Sequence, residues 1–587
     1  MSAGSLAGAS PLVASAPPSP RTPDDGYVEA RIGAFVWRVR PAFRSLFFDD
    51  HGLRLDQWQE EGTATLVKSG AGRTIHRVRV PGADVYVKHF RATNPVSLVH
   101  QWVKRGRARK EFEVALDLAA VGVPTITPIA LGERRRHGML LESYLISESI
   151  ADGITLFDLI DRRLMTAGGP ISPELRFHLA DELGRLAGRI HNAGVEHRDL
   201  HERNIIVRAG RTGGLELFML DLHELRRRPG GEWKWAERDL GRMGRYFTLR
   251  TTATDRRRFF RAYAMERSLG LETTRQRAKE IETEVFESRA DFWRRRDQRG
   301  PAKYNRINEF IAFGVRAFAV PELPAEFVRR LMTNPDGVFD NVVAWWKQGR
   351  STRVAAVDMP AIRHADPLVF KQYFFKGWHE SLATVLRPNQ AERAWNHGAA
   401  LLLRELPTPR PLMLVHKTAA GLPVQSYLLC ERVPGALGLC DYLEQRIKTA
   451  ASHAERRRII EGVVDETARL LRMLHDRQVT HRDLKASNVL AEPTEDPARP
   501  KLWLIDLDGV TTWKKVPERH RAQNLARINV SFFRFDWLTL ADRMRFLRTY
   551  MGRDFFDRRK RKRLWRAVHA DTTAKIARNL RRGRTIL

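Results

Sequence analysis

Cysteine is almost missing: Cys430 and Cys440 are the only two in 587 residues. That excludes a disulfide scaffold and any zinc cluster built mainly from thiolates, and it suits a reducing compartment. Long apolar runs are missing too. No stretch of about 18 uninterrupted apolar residues occurs, so no spanning helix is expected. The opening MSAGSLAGASPLVASAPPSPRTPDDG lacks a basic start, and Ser and Pro break its apolar stretch. It does not read as a secretory signal. Residues 1–26 are expected to form a disordered tail, and the protein is expected in the cytoplasm.

Acidic residues are outnumbered, 69 Asp+Glu against 101 Lys+Arg, and the net charge is +32. Such a field attracts anions. Nucleic acid, an anionic membrane and a phosphorylated glycolipid all fit. No RRM signature, zinc-finger spacing or homeodomain pattern is present, so nucleic acid is the secondary reading. The densest basic block is RRKRKRLWR, Arg558 to Arg566. Residues 554–587 read as a basic C-terminal tail. The tail is either a solvated extension or a peripheral anchor on the cytoplasmic membrane face, with Leu564, Trp565, Val568 and Ile576 as its apolar side.

A repeat organises the rest. VEHRDLHERNIIV (Val195 to Val207) recurs as VTHRDLKASNVL (Val479 to Leu490), and LFMLDLHEL (Leu217 to Leu225) as LWLIDLDGV (Leu502 to Val510). VYVKHF recurs as LVFKQYF, GVPTITPIAL as ELPTPRPLML, and RRRFFRAY as RMRFLRTY. Blocks matched at a nearly constant offset indicate a duplicated domain. The expected domains are 27–300 and 301–553. Their boundary is expected near Gly300 and Pro301, after a charged helical pattern from Arg275 to Arg296.

In the first copy, Ala64 to Val80 reads as two strands around a turn. Gly70 and Gly72 would let that turn approach an anion, although two glycines alone also suit an ordinary hairpin. Lys88 lies in the next strand, on the face of Tyr86 and Phe90. Glu111 lies near the start of a helical stretch from Arg109 to Gly122. Its carboxylate could hold Lys88 in place; the plainer alternative is an exposed surface pair. His197-Arg198-Asp199-Leu200-His201-Glu202-Arg203-Asn204 follows a helix and precedes a short apolar strand, and LFML then leads to Asp221. Two carboxylates and a carboxamide are thus delivered at strand ends. One carboxylate can accept a hydroxyl proton, while the other and the Asn oxygen suit a hard cation. Singly, each could be a turn residue.

Lys88, Glu111, H-R-D-x-x-x-x-N from His197 to Asn204, and Asp221 together resemble the working parts of the protein-kinase-like fold. The finer wording is similar to the Kdo/WaaP lipopolysaccharide kinase family. The cues are RARKEF before VGVPTITPIALGE, LDLHEL in place of D-F-G, and RDLGRMGRYF before RRRFFRAY. The resemblance implies an α+β chain of two tandem bilobal protein-kinase-like domains, each with a β-rich N-lobe and a helical C-lobe. It implies ATP and Mg²⁺ as cofactors, with Gly70 and Gly72 over the phosphates and Lys88, paired with Glu111, on them. Asn204 and Asp221 would hold the metal, Asp199 would be the base, and the strand Leu140 to Ser147 would be the hinge that meets adenine. In the second copy the counterparts are Lys371, Asp483, Asn488 and Asp506, with Tyr427 to Glu431 as hinge. The implied activity is ATP-dependent phosphorylation of a hydroxyl on a lipopolysaccharide core sugar, so the implied partners are ATP and an anionic glycolipid or sugar acceptor.

The second copy departs from the pattern. Ala394 stands opposite Glu111, and the turn Lys347 to Thr352 has one glycine. That copy is therefore either weaker than the first or a regulatory partner of it. Three other readings stay open: a protein Ser/Thr kinase, a small-molecule phosphotransferase, and a non-catalytic tandem pseudokinase scaffold on anionic lipid.

Overall fold

The computed structural model describes residues 26–70, 72–91, 106–165, 172–210, 214–227, 232–299, 307–312, 314–359, 367–375, 378–384, 387–533 and 535–583. The tail expected at 1–26 lies, apart from Gly26, outside these residues, and so do Gly300 and Pro301. The chain divides into two compact units, Met1–Arg289 and Ala290–Leu587. The division falls inside the helix Leu271–Arg299. The end of that helix packs within the second unit: Arg404 donates to Asp297 at 3.0 and 2.7 Å and lies over the Trp293 ring.

Each unit opens with a seven-stranded sheet, and the two sheets share one strand order. In the first, the order is Val28–Ile32, Phe35–Val39, Pro128–Arg136, Met139–Glu148, Ala83–Arg91, Arg73–Val80, Ala64–Gly70. In the second it is Asn308–Ala312, Val315–Ala319, Pro411–Ala419, Leu422–Cys430, Leu368–Phe374, Thr352–Val357, Val342–Gln348. A helical part with two small sheets follows in each. This is the α+β arrangement of β-rich N-lobe and helical C-lobe, built twice.

Period-two patterning sets the first sheet's orientation. Val85 and Val87 are buried with Trp37, Phe47 and Trp58 on one face, which turns Lys88 to the other. That face is covered by the helix Arg107–Ala120, whose buried stripe is Ala108, Glu111, Phe112, Ala115 and Leu118. The spacing is that of one helical face. Glu111 is buried because it occupies a core position of that stripe.

In the helical part, Ser172 caps Pro173–Asn192 by accepting from Leu175 N at 3.2 Å. This helix lies tightly against Ala253–Glu266: a Cβ at Gly184 would meet Phe259 O at 2.3 Å, so only glycine permits the approach. In the second unit the basic segment is the helix Arg558–Arg581, capped by Asp557. Leu564 and Val568 pack against the helical core, and Asn529 donates to Thr572 Oγ1 at 3.2 Å. The apolar side assigned to a membrane is turned to the protein, because its spacing matches the groove between core helices; the basic side stays exposed.

The strand Met139–Glu148 is interior to its sheet, bonded to Ala83–Arg91 on one side and to Pro128–Arg136 on the other. Its backbone from Leu140 to Ser147 is spent on the sheet, which corrects the hinge expected there. Tyr427 to Cys430 is paired on both sides in the same way, and Glu431 N donates to Arg410 O at 2.9 Å.

Candidate active site

In the first unit Lys88 Nζ donates to Glu111 Oε1. Glu111 is 0% exposed and the Lys88 side chain 12%. Glu111 Oε2 is also buried and has no hydrogen-bond partner among the described residues. A charge placed so deep persists only with its counter-charge, so the pair is positioned rather than a loose surface contact. That burial excludes an exposed surface pair.

The Asp199 loop is held from behind. Val195–His197 pairs with Leu225–Arg227. Asp239, on the helix Trp233–Arg250, is buried and its Oδ2 accepts from His197 N at 2.6 Å. His197 Nδ1 accepts from Asp199 N at 3.2 Å, and its Nε2 lies 3.4 Å from Leu220 O. Burial pushes the His197 pKa down, which suits a neutral ring with Nε2–H donating. One imidazole thus ties the residue before Asp221 to the loop carrying Asp199. Asn204 Nδ2 donates to Asp199 O at 3.0 Å. That leaves the Asn204 carboxamide oxygen as the atom able to ligate a cation.

Asp199 itself is exposed, as a base that must reach a substrate requires. His201 Nε2 lies 3.5 Å from its Oδ2, and chiefly this hydrogen bond holds the carboxyl below its ordinary range, against the effect of burial. Asp221 sits at φ +57°, the left-handed region. Burial opposes its charge, yet His223, Lys88 and Arg73 hold its carboxyl far below the usual range. Arg73 Nη1 is 3.4 Å and His223 Nδ1 2.7 Å from Asp221 Oδ1. Ligand atoms of Glu111, Asp221 and His223 lie within 4.8 Å of one another. A cleft of about 500 Å³ is lined by Arg73, Arg198, Asp199, Asp221, His223, Glu224 and Arg242.

Gly72 turns the chain at φ +76°, a conformation that favours glycine. Gly70 ends its strand, with nothing within 4 Å of a Cβ placed there. Arg73 follows Gly72 and reaches Asp221, so the turn stands beside the carboxylates. Lys88, Glu111, Asp199, Asn204 and Asp221 therefore belong to one constellation. Arg73, His223, Asp239 and Arg242 were not singled out from sequence. Asp239 lies in the RDLG of a quoted motif, and Arg73 directly follows the glycines; those were the available signals.

The second unit repeats the loop. Asp483 N donates to His481 Nδ1 at 3.2 Å, His481 Nε2 is 3.0 Å from Asp506 O, and Asn488 Nδ2 donates to Asp483 O at 2.8 Å. Asp506 also has φ +57°. Asn524 replaces Asp239, accepting from His481 N at 3.1 Å and donating to His481 O at 2.9 Å. Lys371 lies on the strand matching that of Lys88, paired in register with Leu428.

The sequence profile of the Lipopolysaccharide kinase (Kdo/WaaP) family matches residues 56–263 and again residues 362–550. The chain belongs to this family. The two matched regions fall on the two copies, one in each unit. Lipopolysaccharide core heptose(I) kinase WaaP of Pseudomonas aeruginosa is 27% identical over 202 residues, 33% of this chain and 74% of that protein. A 3-deoxy-D-manno-octulosonic acid kinase of Haemophilus influenzae is 35% identical over 119 residues, 19% of this chain and 48% of that protein. Among solved structures, WaaP in complex with acyl carrier protein is 22% identical with a TM-score of 0.32, covering 43% of this chain and 98% of that one. As a member of the Kdo/WaaP family the chain is a kinase. Among the described residues no helix is long and apolar enough to cross a membrane.

Proposed function

We propose that the chain transfers the γ-phosphoryl group of ATP to a hydroxyl of a lipopolysaccharide core sugar. The observation that carries this reading is the buried Lys88–Glu111 pair standing beside Asp221, in the copy whose Asp199 opens onto the same cleft. Phosphoryl transfer asks a protein for positioning and charge neutralisation more than for covalent help. Lys88, oriented by Glu111, supplies an ammonium for phosphate oxygens. Asp221 and the free oxygen of Asn204 form a hard-oxygen donor set that suits Mg²⁺, which when bound would neutralise phosphate charge. Asp199 accepts the proton of the attacking hydroxyl, a role worth roughly 10²–10⁴-fold. The connection after Glu148, turned by Gly153 N donating to Ile150 O at 3.1 Å, replaces the interior strand as the backbone that faces adenine.

The acceptor reading draws on the named relatives and on the Arg198 and Arg242 side chains in the cleft wall, which suit an anionic glycolipid. The test is incubation with Mg²⁺-ATP and, in parallel, rough lipopolysaccharide core, free sugars and generic protein, with the product identified by mass. Phosphate on a core sugar is expected. Phosphate on protein alone, or on a free small molecule alone, would replace this reading with the corresponding kinase class.

A further inference from the structure

We propose that phosphoryl transfer is confined to the first copy, and that the second is a non-transferring copy of the same fold, an assignment that rests on the kinase reading. The two copies share most of the base loop: Asp199 N and Asp483 N donate to His197 and His481, Asn204 and Asn488 donate to the Asp199 and Asp483 carbonyls, and Asp221 and Asp506 share a left-handed φ of +57°. They differ in the cations that must grip the phosphates.

The first difference is the lysine. Ala394, 7% exposed, fills the helix position of Glu111. Among the described residues Lys371 has no ion-pair or hydrogen-bond partner. The nearest acid on its helix cannot substitute. Glu392 is spent on the capping box, accepting from Asn389 N at 2.9 Å, and its Oε1 lies 3.4 Å from His416 Nε2. It is two positions from Ala394, which on a helix points it elsewhere.

The second difference fixes the first in place. In copy one, Lys110 donates to His223 O. In copy two the matching contact is an ion pair, Arg393 Nε to Asp508 Oδ1 at 2.7 Å, and His397 Nδ1 lies 2.8 Å from Leu507 O. Both tie the helix Gln390–Leu403 to the Asp506 segment. At Gly398 the helix also approaches Pro411, whose Cγ is only 3.0 Å from where a Cβ would stand, and Leu507 at 3.6 Å. With the helix so anchored, Glu392 stays in its capping box and away from Lys371.

The third difference is the residue after the glycine turn. Sheet register pairs Arg73 with Phe90 and Thr352 with Tyr373, two positions beyond each lysine. The guanidinium that reaches Asp221 thus has a buried threonine as its counterpart, too short to cross to Asp506. A transferring phosphate needs in-line restraint and charge neutralisation together. Copy two retains the base and the oxygen ligands but lacks an oriented ammonium and the arginine.

An acyl-phosphate derivative of ATP reads this directly on the full chain. A lysine Nζ held beside the phosphates loses one proton to become the amine and attacks the acyl carbon; the C–N bond of an amide forms as the acyl C–O bond to the γ-phosphate breaks, the nitrogen releases a second proton, and ATP leaves. Labelling that excess ATP suppresses is expected at Lys88, at least about tenfold above Lys371. Equal, ATP-suppressible labelling of both would overturn the assignment while leaving the kinase reading intact. Labelling of neither would overturn the kinase reading and this assignment with it. In the transfer assay, Asp199→Asn with Asp483 untouched is expected to retain at most about 1% of wild-type turnover. Retention of a tenth or more would show that the second copy turns over.

Discussion

Asp239 Oδ2 accepts a 2.6 Å hydrogen bond from the backbone amide of His197, while its Oδ1 accepts from Arg242 Nη1 at 2.8 Å. The carboxylate is fully buried, and it fixes the strand from which the Asp199 loop departs. Asn524 does the same work in the second unit without a charge. Asp239→Asn is therefore expected to fold and keep much of its activity. Asp239→Ala leaves a buried amide unsatisfied, a loss of about 1–3 kcal/mol. Thermal melts of the two variants, with kcat for each, check the ordering; equal losses would remove the amide from the account.

The Lys88–Glu111 pair predicts an asymmetry. Lys88→Met strands a carboxylate that is 0% exposed, whereas Glu111→Gln leaves an ammonium closer to solvent. Removing one member of a buried pair costs about 3–5 kcal/mol, so Lys88→Met is expected to destabilise the nucleotide-free protein more than Glu111→Gln. Both should lose kcat/KM for ATP, the Gln variant by roughly 10–100-fold as a positioning loss. Chemical denaturation and steady-state kinetics measure the two effects separately.

A third expectation concerns metal. Wild-type protein should gain thermal stability from Mg²⁺-ATP, since a ligand bound only by the folded state raises its stability by mass action. Asp221→Ala should lose that gain in the first unit, because its carboxylate heads the oxygen donor set. An undiminished shift in the variant would exclude Asp221 as a ligand.

Much of this site could be read from residue order. Alternation placed Lys88 on its strand, the helical stretch from Arg109 to Gly122 carried Glu111 near its start, and the spacing from Asp199 to Asn204 identified the loop, because each depends on neighbours in sequence. What could not be read depends on neighbours in space. Arg73 meets Asp221 only because the hairpin folds over the cleft. The strand Leu140–Ser147 looked available to a ligand because alternation does not say how many neighbours a strand has; in the sheet it has two. The segment after Arg558 read as a tail because charge dominates its composition, while Leu564 and Val568 recur at helical spacing and find a groove.

Acid should weaken the second unit. Burial pushes the His475 pKa from 6.5 down to about 3, with the Asn524 hydrogen bond opposing. Its Nδ1 is bonded to Tyr550 OH at 2.7 Å. Between the unfolded and folded values the unfolded chain binds a proton that the folded chain refuses, so stability is complete above about pH 6.5 and falls as pH drops below it. At pH 5 this group alone accounts for about 2 kcal/mol. Unfolding followed at pH 7.5 and 5.0 tests the sign; a midpoint that rises on acidification would contradict it.

The last expectation follows from the outer side of Arg558–Arg581. Arg558, Arg559, Lys562 and Arg566 are exposed, while the helix's Leu564 and Val568 are engaged with the protein. Attraction to an anionic leaflet would therefore be electrostatic, about 1 kcal/mol for each basic residue near the surface, without an inserted apolar side to hold on at high salt. Binding to vesicles rich in anionic lipid is expected to disappear as ionic strength approaches about 1 M, where the screening length shrinks to about 3 Å. Replacing the four basic residues by Glu should abolish it at low salt with the melting temperature little changed. Sedimentation that resists salt would mean that apolar side chains insert after all, and that the helix leaves its groove to do so.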